Sequence, residues 1–161
     1  MSVCGIGDCG RWTRDACHFW EWKALLQRLE ENRLERVLTG REQYVQANEI
    51  VPEPESTTAL FSEILDQYPQ WSREITLTSG EALIAYRPES VVHQISPRAI
   101  LWLHGDADER VSMEESQSMY AKAGEPKKIV ILPGLGHSDV ISGPGLDQGL
   151  PHIKEWFKTY L

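Results

Sequence analysis

The sequence predicts an α/β fold: about three parallel strands with flanking helices and a long helical insertion. Three observations predict it. Residues 99–103 (Ala-Ile-Leu-Trp-Leu) and 128–132 (Lys-Ile-Val-Ile-Leu) are apolar runs of the kind that form strands buried on both faces. Each run ends in a glycine-bearing loop and leads to a helical pattern, so strand, helix, strand, helix makes one right-handed crossover unit. The stretch before them, residues 10–90, is mainly helical in pattern and too apolar for a linker.

Residues 2–7 (Ser-Val-Cys-Gly-Ile-Gly) read as a short strand closing in a glycine turn. It starts without a lead-in, and the expectation is that further strands precede it in a larger fold. From Phe19 to Leu38 apolar residues recur every three or four positions, a helical stripe with a bend near Asn32 and a stop at Thr39-Gly40. A short helix is expected over 41–47, then an extended segment where Pro52 and Pro54 break periodicity. Ser56 is the expected cap of a helix carrying Leu60, Phe61, Ile64, Leu65 and Tyr68, which Pro69 ends. Ser79 is the expected cap of another, through Leu83, Ile84 and Tyr86. Ser112-Met113-Glu114-Glu115 has capping-box spacing and opens a helix that Gly124 stops. A last helix is predicted over 151–161, with Ile153, Trp156, Phe157 and Tyr160 on its apolar side. The expected organisation is a first strand and turn at 1–9, a helical insertion at 10–94 and a C-terminal α/β core at 95–161.

Composition narrows the function classes. The chain has 161 residues, 41% hydrophobic and 25% charged, which excludes collagen-like, low-complexity and wholly disordered proteins. Its 24 acidic residues against 16 basic ones leave a net charge of −8. Such a surface repels phosphate backbones and anionic lipid, so neither nucleic acid nor a membrane is expected as a partner. Residues 1–15 carry neither a basic leader nor a hydrophobic stretch. Cys4, Cys9 and Cys17, an odd number crowded at one end, form no disulfide framework and fit a reducing compartment, the cytoplasm.

In an open parallel sheet, reactive groups gather beyond the carboxyl ends of the strands. Asp106 and Asp108 follow one predicted strand there and His137 follows the next. Adjacent parallel strands would bring the two loops together, letting a carboxylate hold the Nδ1 proton of His137. Asp106 is the alternative acid, with solvated loop charge as its plainer reading. His104 reads as a packed, hydrogen-bonded residue of the strand end, and His18, His93 and His152 as surface residues. The set Cys4, Cys9, Cys17 and His18 lacks the Cys-x-x-Cys spacing of structural zinc, and no metal is expected. An aspartyl-phosphate site built on Asp106 would need threonine or valine two residues beyond Asp108, where Arg110 stands.

The run Ile100-Leu101-Trp102-Leu103-His104-Gly105-x-x-Asp108-x-x-Val111, preceded by Ile95-Ser96-Pro97-Arg98, resembles the acid region of the α/β hydrolases. Val130-Ile131-Leu132-Pro133-Gly134-x-Gly136-His137 is similar to their histidine loop. The likeness is strongest to the branch of dienelactone hydrolases, prolyl-oligopeptidase-like hydrolases and fungal polyketide hydrolases or transferases. In that branch Ser2-Val3-Cys4-Gly5 would match the strand after the nucleophile helix, and residues 10–90 the cap. Ser112 stands where proline is common. The resemblance implies a C-terminal portion of a cofactor-free enzyme acting on ester, lactone, thioester or peptide acyl groups. Asp108 would orient His137, and His137 would serve as general base and then acid. The Gly105-x-x-Asp108-x-x-Val111 spacing selects Asp108 over Asp106. Trp12, Phe19, Trp20 and Trp22 would line an acyl pocket or form the cap's own core.

One part is missing. No G-x-S-x-G nucleophile elbow occurs in the sequence. The expectation is a chain inactive alone, whose partners are an acyl substrate in the complete enzyme and a companion N-terminal half, or further copies of itself through an open strand edge. The alternative is an inactive, truncated hydrolase-like protein with at most a binding role.

Overall fold

The computed structural model describes residues 1–161, apart from the side chains of Ser56, Leu60 and Pro144. In chain order the elements are β1 (Ser2–Val3), α1 (Cys9–Asp15), α2 (Phe19–Thr39), β2 (Tyr44–Gln46), α3 (Glu55–Gln67), β3 (Glu74–Thr76), α4 (Leu77–Ala85), β4 (Ile100–Gly105), α5 (Met113–Lys122), β5 (Lys127–Leu132) and α6 (Gly143–Tyr160), with short 3-10 turns between. They form two compact units: Met1–Asp8 with Arg87–Leu161, and Cys9–Tyr86.

The first unit is built on a parallel sheet in the order β1-β4-β5. Side chains alternate across β4. Leu101 and Leu103 face a cluster with Leu132, Val140 and Trp156, while Trp102 faces Val92, Met119 and Ala123. Both faces are covered, which is why the sequence of this strand shows no polar alternation. Ser112 caps α5 by accepting the Glu114 N–H, but no reciprocal box is needed to explain Glu115. Its carboxylate accepts the N–H groups of Gly7 and Asp8 at 2.8 and 2.9 Å, tying the turn after β1 to α5. β1 is the short strand expected, and the turn after it begins at Cys4, whose φ is 44°. By contrast, α6 starts eight residues before the expected Pro151 and runs through that proline. Its packing on the sheet outweighs the lost backbone bond: at Gly149 a Cβ would lie 3.0 Å from Leu103 Cδ2.

In the second unit Leu25, Leu29, Val45, Ile50, Val51 and Leu77 form the core, with Trp12 and Trp22 packed against it. Phe19 and Trp20 are exposed, so the predicted four-residue aromatic cluster is only half a core. α2 ends as expected at Gly40 in the left-handed conformation. The predicted helix over 41–47 is instead β2, paired antiparallel with β3, Val45 opposite Ile75. The exposed-buried-exposed order of Tyr44, Val45 and Gln46 is the two-residue period of a strand, too short to stand out beside a helix. Thr76 rather than Ser79 caps α4, accepting the Ser79 N–H at 3.0 Å. α3 begins at Glu55 after Pro54, and the predicted cap at Ser56 lies outside the described side chains. No helix is long and apolar enough to cross a membrane among the described residues.

Candidate active site

The two loops that the sequence analysis singled out leave adjacent strands at the same end of the sheet. β4 and β5 pair with Gly105 opposite Leu132, and the register continues past both strands. Asp106 N–H donates to Leu132 O and Ala107 N–H to Leu135 O, each at 3.1 Å. Gly105 is required here by close approach: a Cβ would fall 2.0 Å from Leu135 O. Asp106 is an exposed loop carboxylate that also has a backbone partner. Its Oδ1 accepts the Gly134 N–H at 2.6 Å, because Gly134, at φ 70°, turns the second loop back over the first.

Asp108 and His137 meet on this platform. His137 Nδ1 lies 2.8 Å from Asp108 Oδ2. The other oxygen, Oδ1, accepts the N–H groups of Arg110 and Val111 at 2.9 and 2.8 Å, so the local turn aims the carboxylate. Burial by itself would raise the Asp108 carboxyl, but bonding from His104, His137 and the Val111 N–H outweighs it and holds the group well below the usual carboxylate range. Asp108 is therefore an anion whose side chain is wholly covered, beside a histidine whose side chain is 36% exposed. His137 Nε2 has no hydrogen-bond partner among the described residues. An anion on Nδ1 and an open Nε2 make an imidazole that can take up a proton and return it.

Two further residues complete the surroundings. His104 is fully buried and hydrogen-bonded, in keeping with its expected place at the strand end, and it also contacts Asp108 Oδ2 at 3.2 Å, a partner that the sequence analysis did not name. The signal was the four-residue spacing of His104 and Asp108 across a tight turn. Cys4, at the end of β1, is buried, with Sγ 3.7 Å from His137 O. Burial pushes its thiol up to about 12; a Gly105 backbone bond works against this and the Asp108 charge adds to it. A neutral thiol is no nucleophile. Ligand atoms of Cys4, Asp108 and His137 lie within 4.8 Å of one another and could in principle hold a metal ion. A cation there would have to displace the proton that binds His137 to Asp108 and compete with the donors already on the carboxylate. Cys9, Cys17 and His18 belong to the other unit and are not part of this group. His18 and His93 are exposed and His152 is half-buried.

The sequence matches no protein-family model. Among curated proteins it is 33% identical over 58 residues to the uncharacterized protein YfhR of Escherichia coli K12, covering 36% of this chain and 20% of that protein. It is 43% identical over 49 residues to the uncharacterized protein PA2218 of Pseudomonas aeruginosa, 30% of this chain and 13% of that one. Solved structures match far more of it. The crystal structure of PA2218 superposes with a TM-score of 0.68 at 22% identity, over 99% of this chain and 52% of its own. The α/β hydrolase GrgF from Penicillium sp. sh18 gives 0.69 at 18% identity, over 98% and 54%. DcsB, solved with its substrate analogue, gives 0.75 at 16% identity, over 99% and 56%. The chain spans about half the length of these structures. Its parallel sheet and flanking helices are a partial α/β-hydrolase fold.

Proposed function

We propose that this chain is the C-terminal part of a serine hydrolase and supplies the Asp-His half of its triad, for acyl transfer from small esters, lactones, thioesters or peptides. The observation that carries this reading is the 2.8 Å contact of His137 Nδ1 with a carboxylate held by two backbone N–H groups, beyond the ends of adjacent parallel strands. Asp108 orients the ring and stabilises the imidazolium. His137 takes the proton of a serine through Nε2 as that serine attacks the acyl carbon, then returns it to the leaving group. The serine and the oxyanion donors come from a companion N-terminal half, whose strand would pair along the edge of β1 away from β4. Charge balances without a cofactor, and three cysteines outside any disulfide fit a cytoplasmic protein.

A fluorophosphonate probe tests this. The chain alone stays unlabelled, while a polypeptide in which a G-x-S-x-G half precedes it is labelled and hydrolyses p-nitrophenyl acetate. In that assembled enzyme Asp108→Asn lowers kcat by about 10⁴-fold. Stoichiometric labelling of the chain alone, or an assembled enzyme indifferent to Asp108→Asn, contradicts the reading.

A further inference from the structure

Asp108 Oδ2 faces two imidazoles, His137 and His104, and only one of them is needed for the chemistry proposed above. His104 lies inside β4 with no exposed surface. Its Nδ1 is 2.7 Å from Ser116 Oγ, and its Nε2 is 2.8 Å from Val111 O and 3.2 Å from Asp108 Oδ2. Val111 O and the Asp108 carboxylate can only accept, so Nε2 carries the hydrogen and Nδ1 accepts from the Ser116 hydroxyl. The ring is thus set by α5 on one side and shares its one N–H between two oxygens on the other. Val111 binds the same carboxylate through its N–H, so carbonyl, N–H, imidazole and carboxylate close a small ring around Oδ1 and Oδ2.

We propose that His104 is a positioning residue that acts through Asp108: its Nε2–H takes part of the charge on Oδ2 and so limits how strongly that oxygen holds the His137 ring. The proposal rests on the hydrolase reading for its purpose but not for its test. Two imidazoles competing for one oxygen weaken each other's hold. A carboxylate stripped of the second donor grips His137 Nδ1–H more tightly, which a general base that must swing between nucleophile and leaving group does not want. Ser116 is the outer member: its Oγ, 2.7 Å from Nδ1, holds the edge of the ring opposite the Nε2–H that Val111 O and Asp108 Oδ2 require.

The test uses two amides of similar bulk. In His104→Gln the side-chain N–H₂ replaces Nε2–H toward Val111 O and Asp108; in His104→Asn it reaches only the Nδ1 position, toward Ser116. The readout is the proton and nitrogen NMR of the protein labelled with ¹⁵N-histidine, which contains five histidines. Expected for the unmodified protein are a His137 Nδ1–H signal far downfield and His104 as the Nε2–H tautomer. His104→Asn moves the His137 signal further downfield, and His104→Gln leaves it near its original position. A purely packing role would disturb both variants alike, and equal signals in the two overturn the proposal while leaving the Asp108–His137 pair intact. If His104→Asn fails to fold, the unmodified protein still decides: His104 carrying its proton on Nδ1 alone cannot donate to Asp108, and that result overturns the proposal. Absence of any downfield His137 Nδ1–H signal overturns the Asp-His pair itself, and this inference with it.

Discussion

β4 of the sheet unit and α2 of the helical unit deal differently with apolar side chains. In β4, Leu101, Trp102 and Leu103 are at most 1% exposed, covered from both faces by residues of the same unit. In α2, Leu25 and Leu29 are buried, while Leu34, Val37 and Leu38 are 55–80% exposed. Leu34 and Leu38 follow Leu25 and Leu29 by nine residues, about two and a half turns, and so stand on the opposite side of a continuous helix. Buried Asn32 sits where the phase of the stripe changes, its amide donating to Glu42 and accepting from Gln43 N–H. Apolar periodicity therefore marks a face without saying that anything covers it. β4 spends its apolar residues on the interior of its unit, whereas α2 carries more of them than its unit buries, and α6, with Phe157 and Tyr160 at 39% and 44% exposed, stands between the two.

Mutations can break this contrast. The largest stability loss is expected for Leu103→Ala, which empties a fully covered site between β4 and α6 and costs about 3–4 kcal/mol by urea denaturation. Asp108→Asn follows, at about 3 kcal/mol near neutral pH, since an amide has one acceptor oxygen and cannot serve both the imidazoles on Oδ2 and the two backbone N–H groups on Oδ1. Its pH dependence has a definite sign. The folded carboxyl is depressed, so its contribution is complete above the unfolded carboxylate range and disappears as pH falls. The gap between the unmodified protein and Asp108→Asn is full above about pH 5 and narrows below about pH 4. Equal gaps at both pH values would contradict the assignment of an anion. Glu115→Ala strands the Gly7 and Asp8 N–H groups and is expected to cost about 2 kcal/mol. The smallest effect is expected for Leu34→Ser with Leu38→Ser, within about 0.5 kcal/mol each, because neither side chain is covered. A loss like that of Leu103→Ala there would show that the outer face of α2 is part of a core after all.

Local signals account for what was legible. The continuous runs of β4 and β5 and the glycine loops after them sufficed to place Asp108 and His137 at one end of a sheet. The turn at Thr39-Gly40 and the cap at Ser112 are equally local. Misread were elements that depend on distant partners: β2, which exists because β3 pairs with it some thirty residues on, and the first turns of α6, held through Pro151 by packing at Gly149. The bond from the Gly134 N–H to the exposed Asp106 was not legible, because the two are 28 residues apart. For the same reason nothing in the sequence near Ser112 shows that the Glu115 carboxylate ties down the turn after β1.

Sequence alone determined the two core strands, the carboxylate and imidazole that stand beyond their ends and the lack of a G-x-S-x-G pentapeptide, since each is written in residue types and short spacings. Only the tertiary structure decided that one oxygen of Asp108 faces two imidazoles and that Cys4 is buried beside His137 and Asp108. Those facts depend on sub-ångström placement of side chains from β1, β4, α5 and the loop after β5, and no spacing along the chain encodes distances between segments that meet only on folding.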